Sequence, residues 1–183
     1  MPENLFSFQM IIIYALLYGI TMKIADLLDE HGLKWFEGSA IIFGILYAIF
    51  GVLVMIGNNQ IANILLAMVL CMILRKRLDF LNHQIAATIM IIGFLFTATF
   101  EPKLFLIFYL IFLIFGALRD YTGEKIKNKT TLSKIYDNIM WYYPIPTFVY
   151  CLFYGNWIIL WAFLAYTIAY DLTKFIYKNK GYY

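Results

Sequence analysis

Gly57-Asn58-Asn59-Gln60 interrupts an uncharged run that extends from Gly38 to Leu74, and the reading of that interruption sets the helix count of the chain. A membrane-crossing helix needs about 20 consecutive apolar residues, with a range of about 17 to 25. The run is too long for one such helix, and Gly, Asn and Gln in succession favour a turn. The stretch therefore predicts a tight hairpin between two spans. Working outward, Asn4 to Met22 makes the first span, and Gln84 to Phe100 makes the fourth, closed by Glu101-Pro102-Lys103. Leu104 to Leu118 is a short fifth span whose flanking Lys103 and Arg119 can snorkel towards headgroups. Asn138 to Tyr170 again exceeds one span, and Gly155-Asn156 is the expected turn between the sixth and seventh. Both are short, and Pro144 and Pro146 kink or break the sixth early, with a single bent helix as the alternative.

Composition points the same way. The chain is 63% hydrophobic and 14% charged, well below the roughly 25% charge of soluble domains. We read residues 1–183 as a single integral membrane domain, an all-α polytopic helical bundle of about seven transmembrane helices in the cell membrane. A net charge of +3, with Lys and Arg held in loops, gives no basic face for nucleic acid. Cys71 and Cys151 lie inside apolar runs and supply neither a disulfide framework nor a zinc pattern. The first residues carry Glu3 and no basic n-region, so Asn4 to Met22 reads as a retained helix.

Seven crossings make a charge prediction, because the side alternates with each span. Lys23, Lys34, Arg75, Lys76, Arg77, Arg119, Lys125 and the later lysines all fall on one side, with Lys103 opposite. By the positive-inside rule that side is cytoplasmic, the N-terminus is outside and the C-terminus inside. Six spans would strand Lys174, Lys178 and Lys180 outside. Gly44, Ala48 and Gly51 line one face of the second span, a spacing that lets helices approach closely, and the Asn63 amide can bond to a neighbouring helix.

Three short charged stretches share the cytoplasmic side. In Lys23-Ile24-Ala25-Asp26-Leu27-Leu28-Asp29-Glu30-His31, Asp26, Asp29 and Glu30 stand at i, i+3 and i+4, one face of a helix if the helix continues past Met22. Such a face can bind a hard cation such as Mg²⁺, which uses one or two carboxylates and leaves other positions to water and phosphate; His31 is a neighbour of that face. In Arg75-Lys76-Arg77-Leu78-Asp79-Phe80-Leu81-Asn82-His83, Asp79 and His83 form an i, i+4 pair that suits a metal half-site or acid/base catalysis. An ion pair between Asp79 and a nearby arginine is the plainer alternative. In Arg119-Asp120-Tyr121-Thr122-Gly123-Glu124-Lys125, Asp120 and Glu124 repeat the i, i+4 spacing among basic residues, a pattern that suits a metal-bound phosphate and equally a solvated loop.

The spacing of these stretches resembles that of the UbiA-type intramembrane prenyltransferases, whose two aspartate-rich motifs lie on the cytoplasmic side four spans apart. Ala25-Asp26-Leu27-Leu28-Asp29 resembles the first motif, Asn-Asp-x-x-Asp, with Ala25 in place of the asparagine. Asp120-Tyr121-Thr122-Gly123-Glu124, followed by Thr130-Thr131-Leu132, resembles the second, with Glu124 in place of an aspartate and Gly116 where an acidic residue is expected. The resemblance covers about 20 residues, and the family has nine spans and a longer chain. It implies Mg²⁺ held by Asp26, Asp29, Asp120 and Glu124 and gripping a prenyl diphosphate. By their own chemistry Arg75, Arg77, Arg119 and Lys125 can add positive charge to such a site, and Asp79 or His83 can assist proton transfer or complete the coordination. The partners expected are membrane lipids, with an isoprenoid or a phospholipid as substrate. A cation or small-solute transporter or channel is the competing expectation, although mid-span residues are nearly all apolar; a non-catalytic assembly subunit is the third.

Overall fold

The computed structural model describes residues 3–125, 130–131 and 141–182. It is all-α, with seven α-helices and no strand among the described residues. Helix α1 spans Phe8–Glu30, and its Ser7 N-cap accepts a hydrogen bond from the Met10 amide at 3.4 Å. It does not stop at Met22. No Gly or Pro intervenes before Gly32, which sits at φ +74° in the left-handed region, and Ile24, Ala25 and Leu27 remain buried, so packing carries the helix through the charged stretch.

Helices α2 (Ser39–Gly57) and α3 (Asn59–Leu74) are separated by Asn58 alone. That residue ends one helix and caps the next: its amide donates to the Met55 carbonyl at 3.3 Å, and its side-chain oxygen accepts from the Ile61 amide at 3.0 Å. The hairpin thus lies within the quartet that predicts it. Helix α4 (Leu81–Thr97) starts earlier than Gln84, after an extended Phe80, and ends before Phe100. Helix α5 (Pro102–Lys125) begins on its proline, where the missing N–H costs nothing, and runs on past Leu118. Helix α6 (Pro144–Tyr154) ends at Gly155, φ +74°, and α7 (Trp157–Lys178) continues past Tyr170 because no breaker follows until Gly181.

Helix α1 packs between α2 and α7, α2 also packs on α4, α3 joins α2 to α5, and α6 lies on α7. Three glycines set these distances. A Cβ at Gly19 would run into the Tyr166 carbonyl of α7; one at Gly44 would stand 2.9 Å from Asn82 of α4, and one at Gly51 3.0 Å from Met90. Gly44, Ala48 and Gly51 therefore face α4 and α1, as close helix packing requires. Asn63 is fully buried, and its amide serves the link between α4 and α5 rather than a helix: it donates to the Thr99 carbonyl at 2.9 Å and accepts from the Glu101 amide at 2.8 Å.

Among the described residues four helices, α1, α2, α7 and the Pro102–Thr122 part of α5, are long and apolar enough to cross a membrane. Helices α3, α4 and α6 have 16, 17 and 11 residues, about 24, 26 and 16 Å at 1.5 Å per residue. The outside of the bundle is strongly apolar: Leu95, Phe96, Ile114 and Phe153 are 72, 86, 63 and 80% exposed. Soluble monomers rarely expose apolar surface on this scale, and such a coat is compatible with insertion into lipid.

Candidate functional site: a buried Lys-Asp-His-Tyr cluster

Where α1 ends and α4 begins, four helices aim ionisable side chains at one another. Lys23, Asp26 and Glu30 follow one face of α1, His83 comes from the first turn of α4, Tyr47 from α2 and Tyr170 from α7. Lys23, Asp26 and His83 are only 2, 5 and 5% exposed, and Glu30 opens to the surface. Charges buried to this degree must be matched, since isolated ones cost several kcal/mol.

The matching is visible atom by atom. Asp26 Oδ2 accepts from the Tyr170 hydroxyl at 2.5 Å and from Lys23 Nζ at 3.4 Å, while Oδ1 faces His83 Nε2 at 3.3 Å. Lys23 Nζ also lies 5.1 Å from the centre of the Tyr170 ring, where the ring face attracts a cation. Glu30 Oε1 stands 3.5 Å from the same His83 Nε2. The other ring nitrogen, Nδ1, is 2.9 Å from the Tyr47 hydroxyl. With the Nδ1 proton donated to Tyr47, Nε2 is left facing two carboxylates, so its position can hold a proton or a metal ion.

Asn82 holds this arrangement in register. It is fully buried, donates to the Ala25 carbonyl at 3.2 Å and, through its side-chain oxygen, accepts from the His83 amide at 2.6 Å. The missing side chain at Gly44 is what admits it. Outside the helices, burial first and then the charge of Lys23 hold the His31 imidazole below its ordinary pKa.

The other residues singled out by sequence go elsewhere. Asp29 is exposed at the α1 terminus and is not part of the group that Asp26, Glu30 and His83 form. Asp79 is also exposed and precedes the Phe80 N-cap, so the helical i, i+4 spacing that would bring it to His83 does not form. Asp120 is held by two guanidinium groups: Arg75 Nε and Nη2 reach Oδ2 at 2.9 and 2.7 Å, and Arg77 Nη2 reaches Oδ1 at 2.9 Å. Gly116 allows this, because a side chain there would overlap the Arg75 guanidinium. Arg119 Nη1 is 3.2 Å from the Tyr142 hydroxyl, with the guanidinium over its ring. The side chains of Glu124 and Lys125 lie outside the described residues.

Donor atoms of Asp26, Glu30 and His83 lie within 4.8 Å of one another, the one such group among the described residues. Two carboxylates and an imidazole suit a divalent cation: carboxylates favour Mg²⁺ and Mn²⁺, and the imidazole extends the range towards Zn²⁺ and Fe²⁺. From sequence, Asp26 is expected as a metal ligand and His83 as a proton-transfer or coordinating group of the same site, while Tyr47, Tyr170 and Asn82 are not singled out. The tyrosines carry no charge and lie in apolar runs; Asn82 adjoins His83, a weak signal. No protein-family model matches the chain, and neither does any curated protein or solved structure.

Proposed function

We propose that the chain is a seven-crossing membrane protein, N-terminus outside and C-terminus in the cytoplasm, in which Asp26, Glu30 and His83 hold a divalent cation that engages the phosphate of a membrane lipid. The observation that carries this reading is the convergence of those three donors within 4.8 Å at the end of α1. Their end of the bundle also carries Lys23, Arg75, Arg77 and Arg119, the basic residues that the positive-inside rule assigns to the cytoplasm. A cation on two carboxylates and a neutral imidazole leaves no net charge at its own ligands, and Lys23 beside them adds one positive charge. That excess favours an anionic ligand such as a prenyl diphosphate or a phospholipid headgroup. Asp120 enters as the partner of Arg75 and Arg77 rather than as a ligand.

The test is cation content and affinity in purified protein. Wild type is expected to bind one equivalent of Mn²⁺, Zn²⁺ or Mg²⁺ by calorimetry and metal analysis, and His83→Ala or Glu30→Gln to lose at least about tenfold in affinity. Absence of stoichiometric binding of all three ions overturns the proposal. A second reading, a cation carrier, draws on the burial of Lys23, Asp26 and His83, because ionisable groups inside a membrane bundle often form ion or proton paths. Cation flux into protein-containing liposomes without any lipid phosphate present would favour it.

A further inference from the structure

The outer face of α7 carries a groove of about 450 Å³ that is amphipathic along its length. Ile168, Leu172 and Phe175, which are 54, 56 and 61% exposed, form its apolar wall, and Trp141 closes one side. Lys174 and Lys178 stand at its end towards the α7 C-terminus, with Asp171 between them and the apolar part. Deeper in, Thr167 is 2% exposed and its hydroxyl has no hydrogen-bond partner among the described residues. A buried hydroxyl in an apolar wall is costly unless something accepts from it.

We propose that this groove binds an anionic phospholipid, its phosphate on Lys174 and Lys178 and its chains along Ile168, Leu172 and Phe175. The charge order fits that occupant. Lysines at a helix end reach the headgroup level, the apolar wall lies below them, and Thr167 offers a donor to a lipid oxygen beneath the phosphate. A soluble anion would use the lysines and leave the apolar wall uncovered. The site requires only that the chain lie in a bilayer; it does not require a cation at Asp26.

Native mass spectrometry of the detergent-purified protein tests it, with phosphatidylglycerol and phosphatidylcholine of identical chains as probes. Wild type is expected to retain phosphatidylglycerol about tenfold better, from two lysine-phosphate contacts. Lys174→Gln with Lys178→Gln should bring the ratio near one, and Leu172→Trp should reduce retention of both lipids by filling the groove. Retention should survive EDTA, which separates this site from the cation site. Equal retention of both lipids by wild type, or an unchanged ratio in the double lysine variant, overturns the proposal. So does a protein dimer that Leu172→Trp dissociates with no lipid bound. The substituted side chains are partly or largely exposed, and circular dichroism confirms folding before each comparison.

Discussion

Replacing Asp26 by Asn isolates what the buried cluster contributes to stability. The substitution keeps the shape of the side chain and removes its charge, so Lys23 at 3.4 Å and His83 at 3.3 Å both lose their carboxylate inside a site that is 5% exposed. Removing one member of a buried pair typically costs about 3–5 kcal/mol, because the remaining charge stays desolvated. The hydrogen bond from Tyr170 is a smaller part: Tyr170→Phe should cost about 1–2 kcal/mol, in line with single hydrogen bonds to charged groups and with those between membrane helices. If pairing rather than shape is what matters, Lys23→Met combined with Asp26→Leu should be less destabilising than Asp26→Asn alone, since both charges go together. Unfolding in mixed micelles of mild detergent and dodecyl sulfate, followed by circular dichroism, ranks the three variants. Asp26→Asn with the unfolding midpoint of wild type, or the double variant as the weakest of the three, would refute the reasoning.

Other consequences follow from the same contacts. Gly44→Ala should destabilise by about 1–3 kcal/mol in the same unfolding measurement, because its Cβ meets the Asn82 backbone and side chain at 2.9 Å in a well-packed interface. The displaced Asn82 should also loosen His83, so cation affinity by calorimetry should fall with it. Asp29→Asn should leave cation affinity unchanged while Glu30→Gln lowers it about tenfold, since of these two residues Glu30 stands beside His83 Nε2 and joins the donor group. Cation binding should release a proton, because metal and proton compete for that nitrogen, so affinity should rise with pH until His83 is fully neutral. Calorimetry in buffers of different ionisation enthalpy counts the proton directly.

The helices were legible in the sequence to the extent that their ends are local. Gly57 to Gln60 and Gly155-Asn156 carry their own turn chemistry, and the chain turns at both. The expected ends at Met22, Leu118 and Tyr170 lack a local stop, and charge alone does not terminate a helix, so α1, α5 and α7 run past them. Burial of Ile24, Ala25 and Leu27 by other helices decides the first of these, and no window of sequence contains those partners. The same nonlocality governs the site. Spacing within α1 put Asp26, Asp29 and Glu30 on one face, yet only Asp26 and Glu30 come together with His83 of α4, and Asp29 stays outside that group. Asp120 looked like a ligand until Arg75 approached it over Gly116. Fold and site therefore share one cause. A helix ending at Met22 would have left Asp26 in a solvated loop, where carboxylates are cheap and uninformative. Packing that carries α1 past its apolar run also draws Lys23 and Asp26 under α4 and α7, and each of them is tolerated there because Tyr170, Tyr47 and His83 arrive from three other helices. A convergence from four helices exceeds what helix packing alone demands, since apolar side chains at these positions would fill the same space without the desolvation cost.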